Sequence, residues 1–209
     1  DVPALSDVSL SLSRGGTLGV VGGSGCGKTT LARAILGLHR LDSGSIHIAG
    51  KPTHANTPEQ LEHIRSNVGL VFQDPRSALN PARNIGDAIR EVLHRWGHDA
   101  ASAREEARQL MTAVGLEPSA LSRKPDAFSG GQRQRIVIAR ALAAQPKLLI
   151  CDEAVAALDV SVQAQVLNLL VQLKEERGLA LLFISHDLGV VRYLCDHTVV
   201  MDQGRVVEA

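Results

Sequence analysis

The stretch Gly22-Gly23-Ser24-Gly25-Cys26-Gly27-Lys28-Thr29 limits what this chain can fold into more than any other feature. It fits the phosphate-loop pattern of a glycine, four residues, Gly-Lys and then Ser or Thr. Glycines let the backbone curl until several N–H groups face one point, where they can surround an anion. Thr17 to Val21, just before the loop, is a short apolar run suited to a buried strand, and Thr29 to Leu38, just after it, has helical spacing. A strand, a glycine loop and a helix in that order also turn the positive end of the helix toward the anion. In such a loop Lys28 reaches the β- and γ-phosphates of a nucleotide and the Thr29 hydroxyl ligates Mg²⁺. The expected nucleotide-binding set is Gly22, Gly23, Ser24, Gly25, Cys26, Gly27, Lys28, Thr29 and Thr30. A chance glycine loop would lack this strand-and-helix setting.

A phosphate loop needs a sheet to stand on, and the composition suits one. Of 209 residues, 44% are apolar but only 2% are aromatic, so the core must be built from Val, Ile, Leu and Ala, as in a parallel sheet covered by helices. Lys plus Arg balances Asp plus Glu at 22 each, without the basic surplus a nucleic-acid binder usually carries. Cys26, Cys151 and Cys195 are odd in number and form no CxxC pair, which argues against a disulfide framework or a zinc site and suits a reducing compartment. No apolar run reaches the ~18 residues of a membrane span. Asp1 to Ala4 do not read as a signal sequence, and the strand pattern at Val8 to Ser13 suggests that the numbering begins inside a domain.

Strands are expected at Val8–Ser13, Thr17–Val21, Ser45–Ala49, Val68–Phe72, Leu148–Cys151, Ala180–Ile184, Thr198–Met201 and Arg205–Glu208. Helices are expected at Thr29–Leu38, Ile85–Arg95, Ala103–Val114, Gln132–Ala144, Val162–Glu176 and Leu188–Cys195. The charged, strand-free stretch from about Asn84 to Gly115 reads as helical material inserted into the core.

Asp152 and Glu153 end an apolar strand. In phosphate-loop enzymes an aspartate there helps to hold Mg²⁺, and a carboxylate beside it is placed to polarise an attacking water. Phe128-Ser129-Gly130-Gly131-Gln132 precedes a helix with small and polar residues, leaving a hydroxyl and free N–H groups at its start. With this second anion-facing end, the chain resembles the ABC ATPase family, whose signature is usually LSGGQ; Phe128 takes the place of the leucine. Gln73 resembles that family's Q-loop glutamine, Ala157-Leu158-Asp159 its D-loop, and His186 its switch histidine. The motifs run in family order across nearly the whole chain.

The resemblance implies an α/β fold: a P-loop NTPase, RecA-like core with an antiparallel β region and an inserted helical subdomain. It implies one ABC ATPase domain over 1–209, with the core lobe at 1–75 and 140–209 and the helical subdomain at about 76–139. It implies head-to-tail pairing with a second ABC ATPase subunit, identical or related, so that Ser129, Gly130, Gly131 and Gln132 of one subunit face the ATP on the other. Glu153 would be the base on water and His186 would contact the γ-phosphate. Thr29, Gln73 and Asp152 would hold Mg²⁺. Gln73 would also sense an integral membrane permease, and an extracytoplasmic solute-binding protein would act indirectly. Phe72-Gln73-Asp74-Pro75, Ser77 to Pro81 and Asp159 to Leu170 resemble the peptide and nickel import branch, which implies an ATPase at the cytoplasmic face of a membrane.

Some positions depart from the family. No aromatic upstream of Gly22 is available to stack on adenine, and Ala154 stands where proline is common. Two other functions fit the motifs less well. An ABC ATPase acting on ribosomes or DNA typically has paired cassettes or long coiled-coil inserts. An inactive regulatory cassette would not be expected to keep Lys28, Asp152, Glu153 and His186 together. His94 and His98 have a metal-compatible spacing but no third ligand, and read as a solvated pair. Cys26 reads as small-residue packing in the loop.

Overall fold

A computed structural model describes residues 4–53 and 57–209. The first three residues, on which the reading of Asp1 to Ala4 partly falls, lie outside it. The chain alternates strand and helix around one main sheet. Its strands are β1 (Thr17–Gly22), β4 (Val68–Val71), β5 (Leu148–Asp152), β6 (Ala180–Ser185), β7 (His197–Asp202) and β8 (Arg205–Glu208). They lie in the order β4-β5-β6-β1-β7-β8, all parallel except for β8, which turns back on β7. β1 therefore sits inside the sheet, paired with β6 on one side and β7 on the other, and the loop that follows it rests on a fixed base.

Strand periodicity sorts the apolar side chains to two faces. Val21, Leu149, Cys151, Leu181 and Phe183 point into one core, and Leu18, Val20, Ile150, Leu182 and Ile184 into the other. Helix α1 (Lys28–Ile35) covers the second face with Leu31 and Ala32. Helices α4 (Ile85–Arg95), α5 (Ala100–Ala113), α6 (Gly130–Leu142) and α7 (Val160–Arg177) contribute to the first. The last helix, α8 (Leu188–Leu194), packs so closely on β1 that a Cβ on Gly19 would lie 2.1 Å from Val191 Cγ1.

Helices α4 and α5 have local causes. α4 buries Ile85, Ile89 and Leu93, an i, i+4, i+8 stripe. The chain breaks between α4 and α5 at Gly97-His98-Asp99: Gly97 has φ +87, and Asp99 caps α5 by accepting from the N–H groups of Ala101 and Ser102. These apolar stripes join the same core as Leu149 and Phe183. α6 runs unbroken through residue 140, so the limit expected at 139/140 falls inside a helix.

Two parts of the fold differ from expectation. Val8 to Ser13 forms no strand. Val8, Leu10 and Leu12 are half-buried and the serines between them exposed, so the alternation reports one-sided burial. A strand also needs a ladder partner, and β2 (His47–Ile48) and β3 (Lys51–Pro52) pair only with each other. Antiparallel pairing among the described residues is found in this short hairpin and in the β7–β8 pair of the main sheet. The other difference is helix not foreseen on either side of β4, at α2 (Pro58–Asn67) and in four residues after the strand. Thr57 caps α2 by accepting from Gln60 N, and Pro58 occupies its first turn. A short helix, α3 (Pro75–Ala78), follows β4 and is capped by Asp74.

Candidate functional site

The phosphate loop leaves β1 at Gly22, where no side chain fits: a Cβ would lie 2.3 Å from Met201 O and 2.6 Å from Cys26 Sγ. Gly27 takes φ +109 and starts α1, which has no side-chain cap. Thr57, Asp99, Ser129, Asp159 and Asp187 cap their helices, so the unclaimed N–H groups of α1 contrast with most of the molecule. A Cβ at Gly23 or Gly25 would meet nothing within 4 Å, so this side of the loop is open to an anion. Lys28 is 8% exposed and donates from Nζ to Gly22 O at 2.8 Å and to Gly23 O at 2.9 Å. Cys26 is buried among the side chains of the second core face, as expected of a packing residue.

β5 brings the acids to this loop. Thr29 Oγ1 donates to Asp152 Oδ1 across 3.5 Å. A hydroxyl beside a buried carboxylate is a hard-oxygen pair that suits Mg²⁺. Burial raises the Asp152 pKa above the usual carboxylate value, and the Glu153 charge adds to this; the Thr29 hydroxyl, Lys28 and Arg33 oppose it. A raised folded-state value means that Asp152 supports stability below its unfolded pKa, and that this support is lost as pH rises through the folded value. Asp152→Asn should therefore flatten this part of the stability profile and raise the Tm of the ligand-free protein at neutral pH. It should also shrink the Tm gain from Mg-ATP. Thermal denaturation from pH 4 to pH 8, with and without Mg-ATP, measures both effects.

Parallel register places the next pair. Asp152 lies opposite Ile184, so the chain leaves β5 and β6 at the same edge. Glu153 N donates to Ile184 O at 2.9 Å, and Glu153 takes φ +54, a left-handed conformation uncommon for a non-glycine residue. Its Oε2 lies 2.7 Å from His186 Nδ1. An ionised carboxylate only accepts, so Nδ1 carries the proton in this contact and Nε2 remains for another partner. The Glu153 side chain is mostly shielded, at 18% exposure, and that of His186 is open, at 65%.

The signature lies at the start of α6. Ser129 Oγ accepts from Gln132 N and Gln132 Oε1 accepts from Ser129 N, a reciprocal capping box. Gly131 is required by packing, because a Cβ there would lie 2.1 Å from Val162 Cγ1 on α7. Phe128 is buried, with the Arg123 guanidinium 4.7 Å from its ring centroid. Asp159 caps α7, and the bonds from Val162 N–H and the Ser161 hydroxyl hold its pKa low.

Lys28, Thr29 and Asp152 are thus brought together, as are Glu153 and His186. No hydrogen bond among the described residues joins Ser129–Gln132 to either group. Gln73 is exposed and its side chain has no hydrogen-bond partner among the described residues. His94 Nδ1 is engaged with the His98 carbonyl at 2.9 Å, and the described residues contain no cluster of three metal-ligating side chains. Sequence reasoning missed Gln134, which is fully buried on α6 and donates from Nε2 to Phe72 O at 3.2 Å. A glutamine on the buried side of a helix was the only available signal.

Comparison with known proteins matches residues 5–156 to the ABC transporter family. The chain is 50% identical over 207 residues to the oligopeptide transport ATP-binding protein OppF of Haemophilus influenzae, covering 98% of this chain and 62% of that protein. It is 48% identical over 208 residues to the di/tripeptide transport ATP-binding protein DppF of Pseudomonas aeruginosa, covering 99% and 64%. The chain therefore spans less than two thirds of the length of these relatives. Among solved structures it resembles cbiO1 from Clostridium perfringens, part of the ABC transporter complex cbiONQ, with a TM-score of 0.90 at 29% identity over 98% of this chain and 80% of that one. It also resembles a dimeric ATP-binding cassette in a post-hydrolysis state bound to ADP and Pi, with a TM-score of 0.86 at 28% identity, over 98% and 89%.

Proposed function

The chain belongs to the ABC transporter family, and we propose that it is the ATP-binding and ATP-hydrolysing part of a subunit that powers peptide import through membrane permeases. The observation that carries the reading is the division of the site. One end of the chain's chemistry groups Lys28, Thr29, Asp152, Glu153 and His186, while the signature at Ser129–Gln132 has no bond to it. A second cassette packed head to tail would bring its own Ser129–Gln132 to the ATP held by the first. The relatives named for oligopeptide and di/tripeptide transport support the cargo class. No helix among the described residues is long and apolar enough to cross a membrane. The path for cargo would belong to permease partners, as membership of the ABC transporter family suggests.

In this reading the loop from Gly22 to Thr30 receives the phosphates, and Lys28 moves its donors from loop carbonyls to phosphate oxygens. Thr29, Asp152 and Gln73 would hold Mg²⁺, which when bound offsets negative charge on the phosphates. Glu153 takes the proton of the attacking water, and His186 would turn a ring N–H toward the γ-phosphate. Positioning and electrostatics supply most of the acceleration. Asp159 steadies the start of α7 at the facing subunit, and Gln73 reports to the permease. The working location is the cytoplasmic face of the membrane, with an extracytoplasmic solute-binding protein delivering cargo from the other side.

The test is reconstitution of the full protein with its permeases and a partner cassette in vesicles. Peptide-loaded binding protein should raise the ATPase rate and drive peptide uptake that depends on ATP. Stimulation by nickel and not by peptide would move the cargo to the other branch member. ATPase activity stimulated by ribosomes or DNA, with no response to permeases, would replace the transport reading.

A further inference from the structure

We infer that Gln134 and Arg140 are positioning residues: they clamp the segment from Phe72 to Ala78, and Gln73 with it, onto the helix that begins at the signature. The inference rests on the ATPase reading for its effect on rate, but the clamp itself rests on geometry. Gln134 Nε2 donates to Phe72 O at 3.2 Å, and Arg140 Nη1 donates to Ala78 O at 2.8 Å. Both pairs are 62 residues apart in sequence, so the segment is held at two points in step with α6. Six residues of helix advance about 9 Å, which separates the two anchors enough to fix direction as well as position.

The cost of these side chains argues that packing alone does not explain them. Gln134 is fully buried, and its Oε1 has no hydrogen-bond partner; neither does the buried Nε of Arg140. A buried polar atom without a partner is destabilising, whereas an apolar side chain of the same shape would be neutral or better. What the two residues supply is directional: each donor meets a backbone carbonyl that no substitution in the segment can remove. Gln73 follows Phe72 directly, so a shift of α6 carries Gln73 with it. The Ser129 end of the helix and the exposed amide of Gln73 thereby move as one body. A segment tied only by the chain could drift, and a displacement near 1 Å at a reacting centre can cost about 10²-fold in rate.

The experiment compares the full protein with Gln134→Met, which keeps length and removes the donor. ATPase kcat should fall about 10-fold to 100-fold, with the Tm equal to wild type or higher. Combined with Gln73→Ala, it should add little further loss, because both changes act through the same amide. Hydrogen–deuterium exchange read over residues 72–79 should increase in Gln134→Met, a readout independent of hydrolysis. Arg140→Met should behave likewise, and Arg140→Lys, which keeps a donor for Ala78, should recover most of the rate. The clamp is wrong if exchange over 72–79 is unchanged, or if the Gln134 and Gln73 losses multiply independently, or if activity falls only in step with Tm. A wild-type protein that hydrolyses no ATP, yet shows the exchange difference, would remove the ATPase reading and leave the clamp standing.

Discussion

Glu153→Gln is expected to slow ATP hydrolysis by about 10²–10⁴-fold, the range lost with a general base, while ATP remains bound. The substitution is chosen for what it preserves. The glutamine amide has the size of the carboxyl group, and its carbonyl oxygen can still accept the hydrogen bond that His186 Nδ1 makes to Glu153 Oε2 at 2.7 Å. The left-handed backbone at residue 153, tied by its N–H to Ile184 O, is asked to hold a side chain of the same length. Only the capacity to take a proton is removed. Lys28, Thr29 and Asp152 are untouched, so nucleotide affinity should remain near wild type. If the site is shared between two cassettes, ATP that binds and does not turn over should hold them together. Solution mass with and without Mg-ATP, together with bound nucleotide and phosphate release, separates the outcomes. A dimer that forms only with ATP and releases almost no phosphate supports both the base and the shared site. Wild-type phosphate release would show that Glu153 is not the base. Bound ATP with a persistent monomer would mean that the second half of the site comes from a different chain.

The same elements show which parts of the molecule sequence can reveal. Motifs were legible where their chemistry is local. The glycines of the phosphate loop, the acids ending β5 and the Ser129 cap each lie where a few neighbouring residues place them, and α4 has the bounds its periodicity suggests, Ile85–Arg95. The hydrophobic runs of β5 and β6 likewise indicate strands buried on both faces. Partnership was less visible. Val8 to Ser13 has the alternation of a strand, but alternation encodes a buried side and not a ladder, and no ladder forms. The helix at Pro58–Asn67 carried a readable start, Thr57 followed by Pro58 and Glu59, which its weak apolar pattern obscured. Gln134 lay beyond reach for a different reason. Its meaning depends on a carbonyl 62 residues away, and nothing near it in the chain specifies that contact.

Lys28→Ala is expected to weaken ATP binding by roughly 10²-fold, since hydrogen bonds to a charged group contribute about 1.5–3 kcal/mol each and 1.4 kcal/mol is tenfold in affinity. The reason lies in where the ammonium sits. It is held under the loop on the carbonyls of Gly22 and Gly23, close to where an anion would meet the loop N–H groups. A phosphate would exchange those neutral acceptors for charged oxygens, which is the stronger contact. Shape matters as much as charge here. With 8% exposure at Lys28 and no room for a side chain at Gly22, the pocket fits a narrow stem and a compact head. Lys28→Arg keeps the charge but brings a wide planar group, and it should also lose most of the affinity. Equilibrium titration with ATP, with and without Mg²⁺, gives both values, and circular dichroism confirms that the fold is kept. If the arginine variant bound ATP as tightly as wild type, charge alone would account for Lys28. If the alanine variant did, the loop N–H groups and the start of α1 would carry the nucleotide without it.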